Sequence, residues 1–129
     1  MSEPTIERRL QRKFILMSAD PEMRRQVADL AGEDWETVTI TDLEEIGDWH
    51  EILLHRFLLL DLDEVEAFDP LDVINLLRRE YMLNIAVFCF GGDGDIRDEM
   101  RMARADRFFD RDELLAMLPE FFKQYGWGG

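Results

Sequence analysis

The stretch Phe57-Leu58-Leu59-Leu60-Asp61 constrains this chain more than any other: four large apolar residues in direct succession, closed by a carboxylate. A strand with one wet face alternates apolar and polar side chains. An unbroken apolar run therefore reads as a strand covered on both faces, as in the middle of a parallel sheet. Phe14-Ile15-Leu16-Met17 and Ile85-Ala86-Val87-Phe88-Cys89-Phe90 have the same character. Thr37-Val38-Thr39-Ile40-Thr41 alternates instead, as suits a strand near a sheet edge, and Arg107-Phe108-Phe109 is a short final strand candidate.

Between these runs the apolar spacing becomes that of a helix: Met23, Val27, Leu30 and Ala31; Val73, Ile74, Leu76 and Leu77; Ile96, Met100 and Ala103. Leu114, Leu115, Leu118, Phe121, Phe122 and Tyr125 extend the pattern to the end, where Pro119 predicts a kink or a restart. Residues 43–55 are interrupted by Gly47 and carry only a partial stripe in Ile46, Trp49, Ile52 and Leu53. The order is β-α repeated five times. Right-handed crossovers turn that order into a doubly wound α/β fold, a parallel sheet with helices on both faces. At 129 residues the chain fits one such domain. Its expected division is an N-terminal extension over 1–12, the domain over 13–125 and a loose tail over 126–129.

A formal net charge of -14 repels phosphates and anionic lipid, so the expected partners include no nucleic acid and no membrane. The basic cluster Arg8, Arg9, Arg12 and Lys13 reads as a solvated end. The start carries no apolar signal core and no run long enough to span a bilayer, which predicts a cytoplasmic protein. The single cysteine, Cys89, excludes an internal disulfide and a cysteine-based zinc site. His50 and His55 suit surface or packing roles rather than zinc.

In doubly wound sheets, sites form at the carboxyl ends of the strands. Those ends here carry Ser18-Ala19-Asp20, Asp61-Leu62-Asp63-Glu64, Gly91-Gly92-Asp93-Gly94-Asp95 and Asp110-Arg111-Asp112. Crowded carboxylates repel one another, which favours solvent exposure or a hard cation such as Mg²⁺. Asp20, Asp69 and Asp112 also precede helical patterns, as N-caps do. Asp61 stands apart at the mouth of the core, where a carboxylate can attack a phosphoryl donor if basic groups offset the transferring charge. Arg111 is the candidate for that role.

These residues resemble the receiver domains of two-component response regulators, from about Lys13 to Tyr125. Phe57-Leu58-Leu59-Leu60-Asp61-Leu62 looks like the strand bearing the phosphoacceptor, which puts that role on Asp61. Ala105-Asp106-Arg107-Phe108-Phe109-Asp110-Arg111 is similar to the family's Gly-Ala-Asp-x-Tyr/Phe-Phe-x-Lys run, with Phe108 on the switch aromatic and Arg111 on the lysine. The family's Thr or Ser falls on Cys89, its Mg²⁺-holding acidic pair on Ser18 and Ala19, and its Met-Pro on Glu64-Val65. The resemblance implies a flavodoxin-like strand order 2-1-3-4-5. It also implies a non-enzymatic signalling role, acting on a sensor kinase, phosphotransfer protein or output protein, or as a homodimer. The expected docking face is the helix from Asp95 to Arg104, Phe108 and the last helix. Mg²⁺ is the cofactor implied, with Asp20, Asp61 and Asp63 as candidate ligands. Because Ala19 offers no side-chain oxygen and Cys89 no hydroxyl, the favoured form is a pseudo-receiver with impaired or absent Mg²⁺-dependent phosphorylation; a phosphoaccepting regulator is the alternative.

A rival comes from the enzymes. Asp61-Leu62-Asp63-Glu64-Val65 also fits the DxDx(T/V) pattern of haloacid-dehalogenase-type phosphatases, with Asp61 as nucleophile, Asp63 as general acid and Asp93 as metal ligand. Spacing opposes it, since that family begins with the nucleophile strand and here two strands precede it. Gly91-Gly92-Asp93-Gly94 lacks a phosphate-binding lysine and reads as a turn. Trp49 and Trp127 are candidate partner anchors.

Overall fold

The computed structural model describes residues 11–127. In it the alternating patterns become β1 (Lys13–Met17), α1 (Pro21–Ala31), β2 (Glu36–Ile40), a one-turn α2 (Trp49–Ile52), β3 (Phe57–Asp61), α3 (Pro70–Asn75), β4 (Ala86–Phe90), α4 (Gly94–Met102), β5 (Arg107–Phe109) and α5 (Arg111–Gln124). Arg8, Arg9, most of the expected extension and the last two residues lie outside the described residues. Among the described residues, no helix is long and apolar enough to cross a membrane.

All strand pairings are parallel, in the order β2-β1-β3-β4-β5. The apolar runs form β1, β3 and β4 at the centre and the alternating segment forms the edge strand β2, because only strands covered on both faces need apolar residues at every position. Successive side chains of the central strands go to opposite layers. Phe14, Leu16, Phe57, Leu59, Phe88 and Phe90 pack with Met23 and Val27 of α1 and Leu114, Leu118 and Phe121 of α5. Ile15, Met17, Leu58, Leu60, Val87 and Cys89 pack with Ile52, Val73, Ile74, Leu77 and Met100. The first layer is aromatic: Phe14 stacks on Phe57 at 4.9 Å and Phe88 on Phe121 at 4.3 Å between ring centroids. The second is aliphatic.

Helix starts follow the aspartates. Asp20 accepts from the Glu22 N–H at 3.0 Å and Asp69 from the Leu71 N–H at 2.9 Å. The third expected cap is displaced: Asp110, not Asp112, precedes α5, and the Glu113 carboxylate accepts from the Asp110 N–H at 2.9 Å. The cause is the brevity of β5, which leaves a single connecting residue and makes Arg111 the first residue of the helix. Pro119 neither ends nor restarts α5, which runs unbroken through it. Residues 43–55 yield only a 3₁₀ turn at Leu43–Glu45 and the short α2, separated at Gly47, whose φ of 124° no helix accommodates. α3 continues as a π-helical turn over Leu76–Glu80. Trp127, the last described residue, is held in place, since the Arg56 Nη1 donates to its carbonyl at 2.7 Å.

Candidate functional site at the carboxyl edge of the sheet

β3 is hydrogen-bonded on both sides, so its last residue is held rigidly, and that residue is Asp61, only 3% exposed. A buried carboxylate needs hydrogen bonds to all its lone pairs or a counter-charge. Asp61 has both. Ser18, at the end of β1, donates its hydroxyl to Oδ2 at 2.7 Å, and the Asp63 N–H donates to Oδ1 at 3.0 Å. The counter-charge comes from the opposite flank. Arg111 donates from Nη1 to Asp61 Oδ1 at 3.1 Å and to Asp63 Oδ2 at 3.0 Å, while its Nη2 donates to Asp20 Oδ2.

One guanidinium thus gathers carboxylates from two different loops and the end of β3. Its planar fork offers several N–H groups in one plane, a geometry that an ammonium lacks. Backbone donors hold the same carboxylates in place: Asp20 caps α1, and Asp63 Oδ1 accepts from the Gly92 N–H at 2.9 Å. Gly91 is required beside it, because it sits at φ 74° and a methyl there would overlap the Asp63 carboxylate. Arg97 closes the flank, bonding the Gly91 and Phe109 carbonyls at 2.9 Å each and Asp110 at 3.1 Å.

The electrostatics follow the contacts. Burial pushes the Asp20 carboxyl up, but the Arg111 hydrogen bond and the Glu22 N–H outweigh it and leave Asp20 below the ordinary carboxylate range. Burial likewise disfavours the Arg111 charge, yet Asp61 and Asp20 more than restore it. Three carboxylates bond one guanidinium, and Glu64 adds a fourth, so net negative charge remains in a shallow depression of about 440 Å³ lined by Ala19, Asp20, Asp61, Asp63, Glu64 and Arg111.

A divalent cation does not fit these residues as they stand. Asp20, Asp61 and Asp63 all turn oxygens to Arg111, and Ala19 supplies none. Among the described residues, no group of three or more His, Cys, Asp or Glu side chains is placed to hold a metal ion.

The other candidate residues lie away from this cluster. Cys89 pairs with Leu60 and Phe108 across the ladders and is fully buried in the aliphatic layer, where burial pushes its thiol up to about 12. The residue opposite Asp61 is Phe90, with the Arg111 guanidinium carbon 5.2 Å from its ring centroid. Phe108 is half-buried against the aliphatic layer, with the Arg101 guanidinium 4.8 Å from its ring. Asp93 caps α4 by accepting from the Ile96 N–H at 2.9 Å, and Asp63 is engaged by Arg111 and Gly92. Neither stands in the role the phosphatase pattern gives it. His55 is buried, its Nδ1 within 2.9 Å of the Glu51 carbonyl, and burial holds it below the ordinary histidine range. It is a packing residue.

No family model matches the chain, and neither does any curated protein. Solved structures do. A phosphorylated cyanobacterial phytochrome response regulator, RcpA, is 16% identical with a TM-score of 0.71, covering 92% of this chain and 96% of that one. The Mn²⁺-bound form of the response regulator Rcp1 is 14% identical with a TM-score of 0.69 over 92% and 96%. The signal receiver domain of a DNA-binding response regulator from Colwellia psychrerythraea 34H is 17% identical with a TM-score of 0.67 over 88% and 97%. Similarity at this level is a similarity of fold, and the fold is that of response-regulator receiver domains.

Proposed function

We propose that this chain is a signalling domain of receiver type that acts through protein–protein contact, and that its conformation is set by Arg111 rather than by Mg²⁺-dependent phosphorylation of Asp61. One observation carries the reading: the guanidinium is bonded to Asp20, Asp61 and Asp63 together. Phosphoryl transfer to a carboxylate requires a cation on the transferring oxygens and a carboxylate oxygen free to attack. Here the oxygens of Asp61 accept from Ser18, Asp63 and Arg111.

The partner is a sensor kinase, a phosphotransfer protein, an output protein or a second copy of the chain. It docks on the face formed by α4, β5 and α5, where Met102 is 86% exposed and Phe108 is covered by Arg101. No catalytic turnover is assigned. The deciding experiment is incubation with acetyl phosphate and Mg²⁺, followed by intact mass measurement of the parent and of Asp61→Asn. The expected result is no adduct on either. A phosphoryl adduct on the parent that is absent from Asp61→Asn makes the chain a phosphoaccepting regulator instead.

A further inference from the structure

We propose that Arg111 is the resident cation of this acidic edge: a tethered guanidinium that takes the place of a divalent ion, so that the edge accepts Mg²⁺ or Mn²⁺ only once Arg111 is removed. The inference rests on the reading above and gives it a mechanism.

Three carboxylates meet at this edge. Each of the three is positioned by donors other than Arg111: Asp20 by the Glu22 N–H, Asp61 by the Ser18 hydroxyl and the Asp63 N–H, Asp63 by the Gly92 N–H. Each is therefore anchored from β1, β3 or β4 and the loops that follow, and Arg111 is what joins all three. Hard carboxylate oxygens are the donors a divalent ion prefers, although with Arg111 between them these three are not placed to hold one. The cation they have is supplied by the chain, at N–O distances of 3.0 Å and 3.1 Å to Asp63 and Asp61, with Asp20 held more closely.

This arrangement differs from an ordinary surface ion pair. Pairs such as Arg101 with Asp98 are exposed on both sides and contribute little. At the edge, the Asp61 side chain is 5% exposed and cannot regain water if its counter-charge leaves. An ion entering the parent must displace a guanidinium that is covalently attached and always charged. The net negative charge that remains also opposes an anionic phosphoryl donor.

The test is a Mn²⁺ titration of the full chain, read from the electron paramagnetic resonance signal of the free aqueous ion, for the parent, Arg111→Ala and Arg111→Ala with Asp61→Asn. Thermal unfolding with and without Mg²⁺ at matched ionic strength accompanies it. The expected result is that Arg111→Ala binds Mn²⁺ at least about tenfold more tightly than the parent and is stabilised by Mg²⁺ where the parent is not. Adding Asp61→Asn should abolish the gain. Equal Mn²⁺ affinity of parent and Arg111→Ala overturns the proposal, and so does a folded Arg111→Ala that binds none. Should Arg111→Ala be unfolded, Arg111→Gln undergoes the same titration; if that too is unfolded, refolding on Mg²⁺ supports the proposal and failure to refold opposes it. An acetyl phosphate adduct on a parent that binds no Mn²⁺ overturns the proposed function and leaves this inference standing. Mn²⁺ binding by the parent as tight as by Arg111→Ala, with no adduct on the parent, does the reverse.

Discussion

Arg111 at the carboxyl end of the sheet and the buried arginines at its amino end are bonded in opposite ways. At the amino end, Arg78 donates to the carbonyls of Arg104, Leu83 and Ile85 and reaches one carboxylate, Asp106. Arg56 donates to the carbonyls of Gln11, Tyr125 and Trp127 and stacks under the Trp127 ring at 3.9 Å. At the carboxyl end, Arg111 bonds carboxylates only. The titration behaviour divides the same way. Burial lowers Arg78 and Arg56 below the ordinary guanidinium value, whereas Asp61 and Asp20 overcome burial and raise Arg111 above it. An arginine that satisfies backbone carbonyls fastens chain segments together, and no ion can substitute for it. One surrounded by carboxylates supplies charge, and another cation can supply charge equally well. Arg78 and Arg56 therefore serve stability and Arg111 serves electrostatics, while Arg97 fastens the Gly91 and Phe109 carbonyls beside it.

The largest effect expected from this contrast is that of Arg78→Met. It removes the donor from the Leu83, Ile85 and Arg104 carbonyls and leaves Asp106 with the Val87 N–H but no counter-charge from Arg78, and should cost about 3–5 kcal/mol in urea unfolding. Mg²⁺ should restore none of it. Cys89 offers a second readout. Because burial pushes its thiol up to about 12, it should react with a thiol reagent near neutral pH only when the fold opens, and so faster in Arg78→Met than in the parent. A loss below about 1 kcal/mol would mean that the amino-end arginines do not fasten the fold.

Arg111→Met comes next, at about 1–2 kcal/mol near neutral pH, because Asp20 and Asp63 open onto solvent and buried Asp61 keeps its neutral donors, the Ser18 hydroxyl and the Asp63 N–H. Its pH dependence has a definite sign. Asp20 lies below its unfolded value in the parent, so its contribution is present above the unfolded carboxylate range and is lost as pH falls through the lowered folded value. The gap between parent and Arg111→Met should thus be widest near neutrality and narrow on acidification, measured as unfolding free energy against pH. A gap that widens on acidification would show that Arg111 acts through packing, not charge.

The same contrast separates what is legible in the amino-acid sequence from what is not. The central strands, the two-sided core and the place of Asp61 follow from apolar runs whose period is unmistakable, because strands covered on both faces favour apolar residues throughout, whereas the strand order is implied only by the resemblance to receiver domains. Arg78 is not legible. It sits in a charged stretch, Arg78-Arg79-Glu80, that reads as a solvated face, and only the π-helical turn over Leu76–Glu80 directs it inward. At the carboxyl edge, Asp20, Asp61, Asp63 and Arg111 are all identifiable as strand-end residues, but their mutual bonding is not. That bonding depends on Arg111 opening α5 directly after Asp110, a one-residue connection set by where β5 stops. Ser18, which the sequence pattern marks only as a missing acid, is the hydroxyl donor to Asp61. The signal is its place directly after a buried strand, where a polar group must find a partner.

Gly91→Ala tests the edge from its backbone side. The φ of 74° and the overlap with the Asp63 carboxylate should together cost about 1 kcal/mol, and Asp63 should swing away from Gly92. Combined with Arg111→Ala, it should weaken whatever Mn²⁺ binding that variant acquires. Unchanged binding would exclude Asp63 from the ligand set and leave Asp20 and Asp61 to carry it.

The smallest effect belongs to Arg101→Ala, on the face proposed for docking. Arg101 pairs with Asp98 in the open and rests on the Phe108 ring, contacts that together are worth about 0.5 kcal/mol. Stability should hardly move, but the Phe108 ring loses its cover and its NMR resonances should shift. Arg111→Met then becomes informative through the same resonances. Phe108 pairs with Cys89, which lies one position before Phe90, the residue facing Asp61. If the acidic edge governs the docking face, the Phe108 signals shift in Arg111→Met and return when Mg²⁺ fills the site. If they respond only to Arg101→Ala, the edge and the face are independent, and Arg111 sets the local charge without setting what a partner sees.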